Sequence, residues 1–147
     1  MENTDQILDA PQSNEIQLQY AGFWIRVGAY LIDVILLVIV NAAISLITTP
    51  IGGEAAIVGL LIFLILWVGY FPYMESSENQ ATIGKMAVGI KVGDANGRRI
   101  TFANALGRFF AKLLSGMILY IGYMMVGWDE KNQGLHDKLA DTYVFYR

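Results

Sequence analysis

Apolar positions run almost unbroken from Phe23 to Ile47, "FWIRVGAYLIDVILLVIVNAAISLI", with Arg26 near the start and Asp33 well inside as the charged exceptions. A stretch that is oily on every side predicts a helix immersed in apolar surroundings rather than one face of a soluble core. A first membrane span is therefore expected over about 22–48, ended by "TTPIGGE", where Pro50 and two glycines make a tight connection. A second span is expected over about 55–73, "AAIVGLLIFLILWVGYFPY", which holds nineteen residues without a charge. That is close to the ~20 residues needed to cross about 30 Å of hydrocarbon. Trp67, Tyr70 and Tyr73 near its end form an interfacial belt, with Tyr20 and Trp24 on the same side.

After Glu75 the pattern changes. Val88, Ile90 and Val92 alternate with Ala87, Gly89 and Lys91, which is strand periodicity, and the C-terminal "TYVFYR" alternates as well. "DANG" at Asp94–Gly97 supplies turn chemistry. A small extramembrane sheet built from these two pieces is one reading, and an irregular interfacial loop is the other. A third apolar segment covers about 105–128, with Arg108 and Lys112 one turn apart near its start. It either spans, with Lys112 snorkelling to the interface, or begins as a basic amphipathic helix in the membrane plane. The fold class expected is thus an all-α membrane protein: a transmembrane helical hairpin, a third membrane-associated or spanning helix, and a small extramembrane β element. Residues 1–18 form a polar tail and residues 19–147 the membrane domain.

Composition narrows the class further. The chain of 147 residues is 55% hydrophobic and 16% charged, well under the roughly 25% charged of a soluble domain. Its net charge of −3 and lack of a long basic patch give no case for nucleic acid. With no cysteine and one histidine, disulfides, thiolate chemistry and metal sites built on paired His or Cys ligands are excluded. No cofactor and no enzymatic activity are expected, since no nucleophile–base pair stands out. The acidic tail lacks the basic region and short apolar core of a signal peptide. Lysine and arginine are absent between the two spans and gather in Lys85, Lys91, Arg98 and Arg99 after them. The positive-inside rule then expects a multi-pass protein of the cell membrane with a cytoplasmic N-terminus.

Arg26 and Asp33, seven residues apart, lie within about 20° of each other on a helix and about 10.5 Å apart along its axis. Tyr30 stands between them and Asn41 lies on the same flank, so the helix carries a partly polar stripe. Counted from Trp24, Asp33 is about 13 Å deep, near the midplane, where an ionised group is costly. One reading makes Asp33 a protonatable or cation-binding group in a transport path; the other makes it part of a buried pair that fixes packing. Glu75, Glu78 and Asp94 read as solvated loop residues. "TIGKM" at Thr82–Met86 lacks the glycine spacing and the hydroxyl after Lys85 of a phosphate loop. His136 and Asp137 stand in the tail without the further histidines a metal-dependent phosphohydrolase needs.

The opening "YAGFWIRVGAYLID" resembles the RDD family of small membrane proteins, named for one arginine and two aspartates. The arginine falls on Arg26, the first aspartate on Asp33 and the second, within "QGLHD", on Asp137. "TIGKMAVGIKVGDANGRRIT" is similar to the family's T-x-G-K…V-x-D-x-x-G segment, so the likeness covers about 20–145. The resemblance implies an integral membrane domain of at least two spans and singles out Asp137, which could meet Arg26 at the end of the first helix. It also implies transport of a ligand, including cation/proton exchange. The expectation is therefore a transporter or channel-like subunit moving a small ligand or a cation or proton, with Asp33 as its ionisable group. Arg26, Asp33 and Asp137 are its signature residues, and Tyr30, Asn41 and His136 support them. Two or three spans enclose no aqueous path, so a homo-oligomer or a partner membrane subunit is expected beside the lipid bilayer. The alternative is a membrane adaptor or scaffold whose polar residues are structural and which binds protein partners.

Overall fold

The computed structural model describes residues 18–117 and 121–147; the polar segment read as a soluble tail lies outside them except for Leu18. Helix α1 (Phe23–Thr48) and helix α2 (Glu54–Glu75) form an antiparallel hairpin. The connection turns on Gly52 and Gly53, whose φ values of 73° and 52° are strained for a residue with a Cβ. Among the described residues these two helices are long and apolar enough to cross a membrane. Leu31, Ile35, Val38, Ile39 and Leu46 of α1 and Ile57, Leu60, Leu61 and Ile65 of α2 are all exposed. Such a surface is stable only against hydrocarbon or another apolar surface.

Past α2 the chain folds back on the hairpin. Helix α3 (Ile83–Ala87) packs on α1, followed by strand β1 (Ile90–Gly93) and helix α4 (Phe102–Met117), which packs on α2. Helix α5 (Ile121–Met124), a 3₁₀ turn (Met125–Gly127) and helix α6 (Leu135–Leu139) lead to strand β2 (Tyr143–Tyr146). β1 and β2 pair antiparallel with Ile90 opposite Tyr146 and Gly93 opposite Tyr143, so the two alternating segments do form a sheet. The Asp94–Gly97 turn closes with Gly97 donating its amide to the Asp94 carbonyl at 2.9 Å. Tyr20 bridges to Phe145. The start of α1, the connection after α2 and the C-terminal strand are therefore joined at one end of the hairpin.

No third helix long and apolar enough to cross is present among the described residues, where the sequence had allowed a span over about 105–128. The physical reason lies in α4. Its sixteen residues reach about 24 Å, and it is amphipathic the wrong way round for a soluble protein. Arg108 and Ser115 are buried while Phe102, Phe110, Leu113, Leu114 and Met117 face outward. Cations turned into the protein and apolar groups turned out suit a helix lying along a membrane. The core is correspondingly split. Ala21, Ala29, Ile90, Val92, Ile100, Ala105 and Val144 pack under the sheet, and Leu37, Phe71 and Phe109 pack where α1, α2 and α4 meet.

Candidate functional site

Asp33 is 1% exposed, yet Arg26 is not its partner. Tyr70 donates its hydroxyl to Asp33 Oδ1 at 2.7 Å, and the Gly84 amide donates to the same oxygen at 2.7 Å. Thr82 donates its hydroxyl to Oδ2 at 2.6 Å, and its own oxygen accepts from the Lys85 amide as the cap of α3. Tyr70 in turn accepts from the Ile83 amide. Gly84 is required here, because a Cβ would overlap the Ala29 carbonyl oxygen and lie 2.9 Å from Asp33 Cγ. "TIGK" is therefore the segment that reaches down α1 and satisfies its buried acid. Asp33 stands ten residues, about 15 Å, from the start of α1 and fifteen, about 22 Å, from its end, level with Tyr70 of α2.

Arg26 is used elsewhere. It donates Nη1 to Asp137 Oδ2 at 2.6 Å, Nη2 to the Asn132 carbonyl at 2.6 Å and Nε to the Ala21 carbonyl at 3.0 Å. Asp137 Oδ2 also accepts from the Gly134 amide, which fixes the start of α6. Its other oxygen lies 2.7 Å from Arg108 Nη2. Burial favours the neutral acid, but Arg108 and Arg26 outweigh it and hold the Asp137 carboxyl well below its usual range. Arg108 then continues the chain of charges, with Nη1 3.5 Å from Glu75 Oε2. Glu75 is 1% exposed, with Lys85 Nζ at 2.5 Å and Lys112 Nζ at 3.0 Å from its Oε1. Burial pulls Lys85 down to about 7 and lowers Lys112 too, against the attraction of Glu75. Burial likewise takes His136, whose ring lies 5.0 Å from that of Tyr123, down to about 3.

These groups enclose a cavity of about 470 Å³, within the usual range for a small-molecule site. Arg26, Lys85, Arg108, Lys112, Asp33 and His136 supply its polar wall, and Phe23, Val27, Phe71, Met124, Val126 and Val144 its apolar wall. Of the expected supporting residues, Tyr30 lines the cavity beside Phe71 and His136 closes it, whereas Asn41 lies two turns beyond Asp33 and is half-buried. The sequence reading missed Glu75, taken there as a solvated loop residue. It also missed that Arg108 and Lys112 turn inward. An acid closing a charge-free span, with Arg108 and Lys112 at helical spacing further on, was the available signal. No cluster of three or more potential metal ligands occurs among the described residues.

The RDD family model matches residues 20–141, nearly all of the described chain. The chain belongs to the RDD family. It is 36% identical to the uncharacterized protein YxaI of Bacillus subtilis, over 86% of this chain and 97% of that one. It is 28% identical to the uncharacterized membrane protein YteJ of the same organism, over 95% and 89% of the two chains. A proline-rich antigen of Mycobacterium leprae is 28% identical over 82% of this chain and 59% of its own length. No solved structure matches. Family and two outward-facing apolar helices together make this a membrane protein of RDD type. The three residues that the resemblance singled out fall into two separate arrangements here: Arg26 with Asp137, and Asp33 with the Thr82–Gly84 segment.

Proposed function

We propose that this RDD protein is a transport-type membrane subunit whose ligand occupies the cavity between α1, α2, α4 and α6. Asp33 serves the architecture of that cavity rather than carrying an ion. The observation that carries this reading is the position of the cavity: helices α1 to α6, the 3₁₀ turn and β2 all contribute to it, and its wall is part cationic and part apolar. A hairpin alone encloses no path, so self-association through the exposed faces of α1 and α2 is part of the proposal. The common end shared by Tyr20, β1 and β2 supports a two-crossing topology, with both termini on the side expected to be cytoplasmic. The test is flux into vesicles reconstituted with the purified full chain, using Na⁺, K⁺, protons and inorganic phosphate as probes, alongside its mass in mild detergent. Flux above empty vesicles from an oligomer is expected. A strictly monomeric protein that moves none of the probes contradicts the reading.

A membrane adaptor is the second reading. It is favoured by the three donors on Asp33, which give an intramembrane acid a purely structural use. On that reading the exposed apolar face of α4 and the sheet would meet other proteins, and vesicle flux would be absent while co-purification of a stoichiometric membrane partner would be present.

A further inference from the structure

Basic side chains outnumber acidic ones around the cavity. Arg26, Lys85, Arg108 and Lys112 meet Glu75, Asp137 and Asp33. One of them has donors to spare. Arg108 is 2% exposed and lines the cavity, and its Nε and Nη1 have no hydrogen-bond acceptor. A buried guanidinium with idle donors is costly, and natural structures rarely leave one so. The two acids nearest to it reach Nη1 only at 3.5 Å, through Glu75 Oε2, and Nη2 at 2.7 Å, through Asp137 Oδ1, and neither is paired with Nε. Glu75 Oε1 is shared by both lysines, and Asp137 Oδ2 is taken by Arg26 and Gly134.

Resting on the assignment of the ligand to this cavity, we propose that the ligand is a phosphate group carried by an organic molecule, either an anionic phospholipid or a soluble phosphate ester. The planar fork of Arg108 suits two oxygens of one tetrahedral anion, and Lys112 and Lys85 approach as point charges from the Glu75 side. Asp33 also lines the cavity and repels an anion on its own side, which orients the phosphate toward Arg108 and away from α3. The remaining wall, Phe23, Val27, Phe71, Met124 and Val126, is apolar and takes the organic part. Outward-facing Phe110, Leu113 and Leu114 on the same helix as Arg108 place that wall beside a surface suited to acyl chains.

The experiment is thermal unfolding of the full-length protein, first in nanodiscs of phosphatidylcholine with and without phosphatidic acid. In phosphatidylcholine alone it is then titrated with glycerol 3-phosphate and with inorganic phosphate. Stabilisation by phosphatidic acid alone identifies a lipid headgroup; stabilisation by glycerol 3-phosphate as well identifies a soluble ester. Either supports the inference, provided that Arg108→Lys, which keeps the charge but loses the fork, weakens binding about tenfold or more. Should Arg108→Lys fail to fold, Val27→Phe, which fills the cavity from its apolar side without touching a charge, carries the test and is expected to abolish the shift. The inference is overturned if neither phosphatidic acid nor glycerol 3-phosphate stabilises the protein, stabilisation by inorganic phosphate alone included, or if stabilisation survives in Val27→Phe. Binding without vesicle flux sinks the transport reading and leaves this one standing; flux of cations without phosphate binding does the reverse.

Discussion

Replacing Asp33 by asparagine tests the architectural role assigned to it. The side chain keeps its shape, so Oδ1 still accepts from Tyr70 and Gly84, but as a neutral acceptor. Hydrogen bonds to a charged group are worth about 1.5–3 kcal/mol and neutral ones about 0.5–1.5 kcal/mol, so each of these two bonds loses about 1 kcal/mol. On the other side an amide N–H₂ replaces the oxygen that accepts from Thr82 at 2.6 Å, and the threonine hydroxyl must turn around. The lower cost of burying a neutral group offsets part of this, leaving a net loss of about 2–3 kcal/mol. For a chain of this length that is a fall in Tm of about 8 °C. Thermal unfolding in mild detergent, followed by near-ultraviolet circular dichroism, reads it directly. Proteolysis should then cut first between Ser77 and Ala87, where α3 has lost its anchor. An Asp33→Asn protein that melts within about 1 °C of the parent would falsify the architectural account.

Gly84→Ala keeps the Asp33 charge but drives a Cβ into the Ala29 carbonyl, so it should lower Tm by at least as much as Asp33→Asn, with about 1–3 kcal/mol from overpacking alone; an unchanged Tm would show that α3 is not pressed on α1. Glu75→Gln leaves Arg108, Lys85 and Lys112 without their common acid and should cost about 3–5 kcal/mol, seen as loss of folded protein on size-exclusion chromatography. The His136 imidazole gains a proton near 6.5 when unfolded but only near 3 when folded, so the unfolded chain holds more protons between those values. Stability should therefore fall as pH drops below about 6.5, by up to about 1.4 kcal/mol per unit, and His136→Gln should flatten that slope. Single cysteines at Asn96 and Arg147 should share one response to an impermeant thiol reagent and Gly53 the opposite one, because β1 and β2 are paired; different responses at Asn96 and Arg147 would contradict the fold.

What the sequence disclosed follows from how far apart the interacting residues are. The hairpin was legible because each span is a local run: about 22–48 and 55–73 against Phe23–Thr48 and Glu54–Glu75 in the structure. The sheet was legible as two alternating segments, although its pairing joins residues fifty or more positions apart. Burial of charge was not legible. Lys112 and Glu75 are 37 residues apart, and only the return of α4 onto α2 brings them together. Before that fold is known, a lysine at the start of an apolar helix is indistinguishable from one snorkelling to the interface. The partner of Asp33 was hidden for a similar reason. Its donors include a backbone amide, a group every residue but proline carries, so no side-chain pattern marks Gly84 as the residue that meets it.

The central claim is that the cavity, not the Asp33 carboxylate, handles the ligand, and vesicle flux normalised to folded protein tests it most directly. Val27→Phe fills the cavity, while Ile39→Phe adds the same ring to the exposed outer face of α1. The account predicts that Val27→Phe loses flux with Tm unchanged and that Ile39→Phe retains it. Undiminished flux in Val27→Phe, or loss of flux in Asp33→Asn with Tm unchanged, would contradict it.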